Sequence, residues 1–210
     1  MQYERMAAWT GVGVPIVTLG AILLATTLSP GFDWTVNALS HLGALESRAA
    51  AEGVATGPTR LLFNGGLIVG GLAGLGFAGA VWLGSNGLVE RLGAVVLGLS
   101  LLSLAGVGTF PDGTAPHFAV AIGHYLLFTV AFWLYGTGNV LAGDRLRGAV
   151  TILLGIAHLG GWYVWFLTGG VRQSGLAIPE MYGAVVFCGW VVVTAHWHLT
   201  GDRALGRPNS

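Results

Sequence analysis

The stretch Leu61-Leu-Phe-Asn-Gly-Gly-Leu-Ile-Val-Gly-Gly-Leu-Ala-Gly-Leu-Gly-Phe-Ala-Gly-Ala-Val-Trp-Leu-Gly84 decides the fold. It holds no Asp, Glu, Lys or Arg, and an apolar run of about 20 residues is what a helix needs to cross roughly 30 Å of hydrocarbon. The run lacks the alternation of a barrel strand. A helix also satisfies its own backbone hydrogen bonds where there is no water to do so.

Five more runs of the same kind follow once this one is recognised, near residues 9–29, 92–110, 117–135, 149–168 and 181–200. The charged residues fall in the gaps between them and make up 9% of the chain, where a soluble domain carries about 25%. The expected architecture is therefore all-α: a polytopic integral membrane bundle of six transmembrane helices, forming one membrane domain over residues 1–210. The first run ends at Thr27-Leu28-Ser29-Pro30 without a small-residue cleavage pattern, so it reads as the first span and not as a removable signal. The single Cys188 lies within the sixth run and reads as a small buried hydrophobe.

Six spans put both termini on one side. All nine basic residues are arginine. Arg5, Arg91, Arg145, Arg147, Arg203 and Arg207 fall on the side of the termini, and Arg48, Arg60 and Arg172 on the other. The positive-inside rule then expects both termini in the cytoplasm of a multi-pass cell-membrane protein. Zero net charge and the lack of a basic cluster argue against a nucleic-acid partner.

The connections are short except for the first outer one, residues 30–60. From Asp33 it places Trp34, Ala38, Leu42 and Leu45 on one helical face and Asp33, Asn37 and Ser40 on another. That pattern predicts a short interfacial or re-entrant helix with Asp33 as its N-cap; residues 49–59 read as a loop. Between the third and fourth spans, Pro111-Asp112-Gly113-Thr114-Ala115-Pro116 leaves room only for a tight turn, so these helices are antiparallel neighbours.

Gly66, Gly70 and Gly74 recur every fourth residue on the second span, a small-residue stripe that lets another helix backbone approach closely. The stripe serves either packing within the bundle or a homo-oligomer joined through the second span.

Ionisable groups inside a membrane are functional hypotheses by default, and here they are histidines. His117 opens the fourth span and His124 follows two turns deeper on the same face. Counting about 1.5 Å per residue, His124 lies roughly 10 Å and His158 roughly 15 Å from the outer ends of their spans. With Asn37, Ser40, Asn64 and Asp112 they outline an outward-facing polar pocket. Three readings stay open. The pocket binds or senses a membrane lipid or another small molecule. Alternatively, His117, His124 and His158 hold zinc, with Asp112 as ligand or acid/base, for hydrolysis of a lipid. In the third, the protein is an accessory subunit packing through its glycine stripe. Haem between His124 and His158 is geometrically conceivable but expected less than zinc. Single histidines in such positions also serve simply as hydrogen-bonded packing groups.

Several of these residues resemble a known family. Asn37-Ala-Leu-Ser40-His-Leu-Gly43, Phe63-Asn64, Gly108-Thr-Phe-Pro111 followed by His117 and His124, and the stretch 175–190 are similar to elements of the domain of unknown function 998 family. The resemblance implies a six-helix prokaryotic membrane protein with no established activity, and it highlights Ser40, Asn64, Pro111 and His117. Members of that family often carry an acid–arginine pair near the last span; Pro179-Glu180-Met181 lacks the arginine here. Asn37 and Ser40 are also similar to an Asn-x-x-Ser element of zinc-dependent membrane hydrolases of the alkaline ceramidase and adiponectin receptor superfamily. Where that superfamily has histidine, this chain has Ala44, and its late histidines His196 and His198 are two apart instead of four.

Overall fold

The computed structural model describes residues 2–54, 57–169 and 175–200, with side chains in the first helix from Arg5 onward. Those described residues form seven α-helices: α1 (Gln2–Thr27), α2 (Glu46–Ala51), α3 (Pro58–Gly84), α4 (Leu88–Thr109), α5 (His117–Leu141), α6 (Arg145–Leu167) and α7 (Ala177–Thr200), with a 3-10 helix at Leu39–Gly43. All except α2 and the 3-10 helix are long and apolar enough to cross a membrane. The described residues contain no strand. The protein is thus a polytopic helical membrane bundle.

Each expected span lies within one of these helices or runs no more than two residues past its end, but several helices extend beyond the apolar run. α1 begins at Gln2, α5 continues to Leu141, and α4, α6 and α7 each start four residues before the apolar stretch. Hydropathy marks where hydrocarbon ends, whereas Arg, Glu and Asn are compatible with further helical turns in the headgroup layer. Asp144 caps α6, accepting a hydrogen bond from the Arg147 backbone N–H at 3.4 Å and pairing with its guanidinium at 3.2 Å.

Sequence neighbours α3–α4, α4–α5 and α5–α6 pack side by side, α1 packs on α3, and α7 closes the ring against α1 and, more lightly, α6. The centre is aromatic. Phe128 lies 5.2 Å from Phe187, and Phe132 lies 4.6 Å from Trp190, between ring centroids. Leu97 and Leu101 of α4 and Phe77 of α3 fill the remaining space.

The glycine stripe is consumed by packing inside the chain. Gly66 lies against Ala21, and Gly70 against Thr18, both on α1; Gly74 faces Leu101 on α4. Gly71 lets two backbones touch: a Cβ there would stand 2.6 Å from the Leu101 carbonyl and 2.7 Å from the Ala105 nitrogen. Beside the α1–α3 contact, a shallow apolar groove of about 370 Å³ runs between Val17, Gly20 and Leu24 on one wall and Leu61, Gly65 and Val69 on the other.

The first connection forms a cap over the end of the bundle opposite the termini. It is not the single helix from Asp33 that the sequence predicts. Asp33 instead turns its carboxylate onto Thr35, accepting from its backbone N–H and its hydroxyl at 2.7 Å each, and Asn37 reaches back to accept from the Asp33 N–H at 2.8 Å. Such local bonds compete with a continuous helix. Helix appears only afterwards, as Leu39–Gly43 and then α2, which occupies the start of the segment expected to be loop. Leu39 and Leu42 are buried against Ile22, Phe63, Leu67 and Leu104, and full burial of a leucine is worth about 1.5–3 kcal/mol.

Arg48 and Arg60 lie at the cap end, and Arg5, Arg91, Arg145 and Arg147 at the terminus end. Arg172, Arg203 and Arg207, which entered the orientation count, lie outside the described residues. At the terminus end, Arg147 stacks over Trp197 at 4.5 Å and Arg91 over Trp82 at 5.7 Å, placing cations and amphipathic rings together at one boundary of the bundle. Glu90, near the start of α4, is buried there and accepts from the Asn86 backbone N–H.

Candidate functional site

The polar groups of the cap converge on His41. Its Nδ1 lies 3.2 Å from the Ala38 backbone N–H donor and 3.3 Å from the Asn37 carboxamide nitrogen. Since a backbone N–H can only donate, Nδ1 is the acceptor and the ring proton sits on Nε2. Nδ1 is also 3.6 Å from Glu52 Oε2, and Nε2 is 3.8 Å from Asp112 Oδ2. Arg48 joins the two acids, with Nη1 at 2.7 Å from Glu52 Oε1 and Nε at 3.2 Å from Asp112 Oδ2. The Arg48 side chain is 44% exposed, whereas Glu52 and Asp112 are 22% and 19% exposed.

The members come from separate parts of the fold, apart from Arg48 and Glu52, which share one helix and its cap. Arg48 on α2 and Glu52, the residue that closes that helix, are four residues apart, the spacing that brings helical side chains together. Asp112 sits in the α4–α5 turn, which the Leu45 N–H anchors through the Asp112 carbonyl at 2.9 Å. Asn37 is saturated: its side chain bonds Asp33, His41 and the Glu52 carbonyl, and its own carbonyl accepts from the Ala177 N–H at the start of α7. One turn on, Glu180 accepts from the Leu39 N–H at 2.6 Å.

Burial pushes the His41 ring below the ordinary imidazole range. Glu52 and Asp112 pull the other way, and Arg48 and His117 add to the lowering. The ring is therefore neutral near pH 7, leaving two carboxylates against one guanidinium. With that excess of negative charge, the cluster suits a group that donates hydrogen bonds or carries positive charge. The guanidinium between the acids disfavours a bare metal cation.

Of the residues expected to form the pocket, Asn37, Ser40, Asn64, Asp112 and His117 all lie at the cap end. Ser40 is half-buried on the 3-10 helix and takes no part in the His41 network. Asn64 is buried beneath the cap, where its amide donates to the Gly43 carbonyl at 2.9 Å and its Oδ1 has no hydrogen-bond partner. His117 bonds the Phe110 carbonyl at 2.8 Å through Nδ1.

The deeper histidines do not join them. His124 pairs through Nδ1 with Ser100 on α4, at 3.0 Å from the hydroxyl and 3.1 Å from the carbonyl. His158 has both ring nitrogens engaged, Nδ1 with the Thr129 hydroxyl at 2.8 Å and Nε2 with the Trp162 N–H at 3.1 Å. Both rings pack on Tyr125 and Phe128. His117, His124 and His158 thus sit on separate partners, and among the described residues no three His, Cys, Asp or Glu side chains group as a metal site. With both His158 nitrogens occupied, the donors suited to zinc or to bis-histidine haem are not available from that ring.

His41 itself, Arg48, Glu52 and Glu180 carry the cap but fall outside the pocket residues expected from the sequence. The four-residue spacing of Arg48 and Glu52 was the available signal. The Leu39–Glu180 bond joins positions 141 residues apart, which no local pattern reveals.

Six apolar helices under a hydrogen-bonded polar cap define an integral membrane protein of the polytopic helical-bundle class. Residues 12–197 match the family described as protein of unknown function (DUF998), and the chain belongs to that family. No curated protein and no solved structure matches it.

Proposed function

We propose that this membrane protein binds or senses a lipid headgroup or another small polar molecule through its cap, with the cap facing outward and both termini in the cytoplasm. The observation that carries this reading is the partly exposed Arg48–Glu52–Asp112 cluster around His41, set at the end of an apolar bundle. A neutral, fully packed surface would serve better if the cap only sealed the bundle, because clustered half-buried charges lose solvation. The unpartnered Oδ1 of Asn64 below the cap adds a buried acceptor awaiting a donor. The Arg5, Arg91, Arg145 and Arg147 side supports the cytoplasmic placement of the termini.

The test is thermal unfolding of the purified chain in nanodiscs of different headgroup composition, beside an Asp112→Asn/Glu52→Gln double variant. A ligand that binds only the folded state stabilises it by mass action, about 2.7 kcal/mol at a hundredfold excess over Kd. The reading expects one headgroup class, ammonium-bearing by the charge argument, to raise the wild-type Tm and not that of the variant. Equal responses of both proteins across the panel contradict it.

A further inference from the structure

The Nδ1 atom of His41 performs a structural task that a proton would abolish. It accepts from the Ala38 N–H at 3.2 Å and so caps the 3-10 helix Leu39–Gly43 from within its own sequence. The same nitrogen orients the Asn37 carboxamide. The capped helix is fastened at both ends: Leu39 N–H to Glu180 on α7 at 2.6 Å, and the Gly43 carbonyl to Asn64 on α3 at 2.9 Å. Asn37, just before it, accepts from the first residue of α7.

Protonation converts Nδ1 from acceptor to donor. The buried Ala38 N–H then loses its partner, and the Asn37 amide must turn away from a ring that now points a proton at it. An unsatisfied buried donor is unfavourable. The alternative partners are already in place: Glu52 Oε2 is 3.6 Å from Nδ1, and Asp112 Oδ2 is 3.8 Å from Nε2. A charged ring would close on these acids, drawing His41 toward α2 and the α4–α5 turn and away from the start of its own helix. The groups facing the ring are Arg48 from α2 and Glu52 at its C-terminal cap, Asp112 from the turn, His117 from α5, and, through Leu39, Glu180 from α7.

We propose that the cap is a proton-operated latch, in which protonation of His41 exchanges the Ala38 and Asn37 hydrogen bonds for ion pairs with Glu52 and Asp112 and loosens the 3-10 helix from α7. As control of access to the site beneath the cap, the latch rests on the binding reading above. As a movement of the cap, it stands on the hydrogen bonds alone. Burial lowers the ring's affinity for a proton, so the exchange takes place below the ordinary histidine value of about 6.5.

The test uses the full chain in nanodiscs with Cys188→Ala as background and spin labels at two exposed positions, Thr35→Cys on the cap and Ala115→Cys on the α4–α5 turn. The latch gives a narrow inter-label distance distribution at about pH 7.5 that broadens or shifts at about pH 5, with a midpoint below about 6.5. His41→Asn keeps an acceptor near the Nδ1 position but cannot titrate, and it holds the narrow distribution at both pH values. An unchanged wild-type distribution, or the same broadening in His41→Asn, overturns the latch. Lipid and small-molecule content of the same samples separates the two ideas. Absence of any bound molecule at about pH 7.5 contradicts the binding reading and leaves the label result standing, whereas unchanged distances contradict the latch whatever is bound.

Discussion

The backbone N–H of Leu39 donates to Oε2 of Glu180 at 2.6 Å, tying the cap to the last span across 141 residues of sequence. Leu39 is buried at 4% exposure, so the donor has no ready replacement in water. Glu180→Leu strands it, and the expected loss is about 1–3 kcal/mol, since removing one partner leaves the full desolvation cost of the other. Glu180→Gln retains an acceptor and loses less. Thermal unfolding in one detergent ranks the three proteins, and equal Tm values for Leu and Gln refute the anchoring role.

The two classes of glycine on α3 give opposite outcomes. Gly71→Ala pushes a methyl into the backbone of α4 at Leu101 and Ala105, and overpacking of this kind costs about 1–3 kcal/mol. At Gly65 a Cβ meets nothing within 4 Å, so Gly65→Ala is neutral or gains up to about 1 kcal/mol of helix propensity. The comparison of midpoints needs only the two single variants and wild type.

His124 and His158 act as interhelical hydrogen-bonding groups. Removing His158 leaves Thr129 and Trp162 without their shared partner, and losses of this type in membranes average about 0.6 kcal/mol and reach about 1.7. The double variant His124→Ala/His158→Ala is therefore expected to melt lower while its zinc and iron content, measured by elemental analysis on protein purified without a metal-binding tag, equals that of wild type. A metal present at one per chain in wild type and lost in the variant would restore the metal-site reading.

Stability falls with acid through His41. Its folded value is depressed below the unfolded one of about 6.5, so the unfolded chain binds the proton more readily and stability rises with pH across that interval. The contribution is complete above about pH 6.5 and is lost as pH drops toward the folded value. Between about pH 7 and pH 5 the wild-type Tm should fall more than that of His41→Asn. Parallel curves for the two proteins would contradict this.

Hydropathy sufficed for the six spans because burial in hydrocarbon imposes one requirement on every residue of a run, and the run 61–84 meets it throughout. The tight turn at 111–116 was equally legible from Pro111, Asp112, Gly113 and Pro116. The cap was only half legible. Periodicity of Trp34, Ala38, Leu42 and Leu45 suggested a helix, but the side chains of Asp33 and Asn37 captured backbone groups first. Asn37, Asn64, Asp112 and His117 lie at one end of the bundle, a depth that span order alone fixes. That His124 and His158 turn to Ser100 and Thr129 could not be read, because which helix lies opposite a given face is set by tertiary packing. The glycine stripe showed the same limit: four-residue spacing revealed a close approach, not that α1 and α4 supply it.

The central claim, that the Arg48–Glu52–Asp112 cluster holds a ligand, is tested most directly by mass spectrometry of what co-purifies with the chain. Wild type and Asp112→Asn/Glu52→Gln would be purified in parallel in the same mild detergent and their bound lipids and small molecules quantified per chain. The account predicts one species retained near one equivalent by wild type and depleted at least tenfold in the variant. Identical lipid and small-molecule profiles in the two proteins, both still folded, would contradict it.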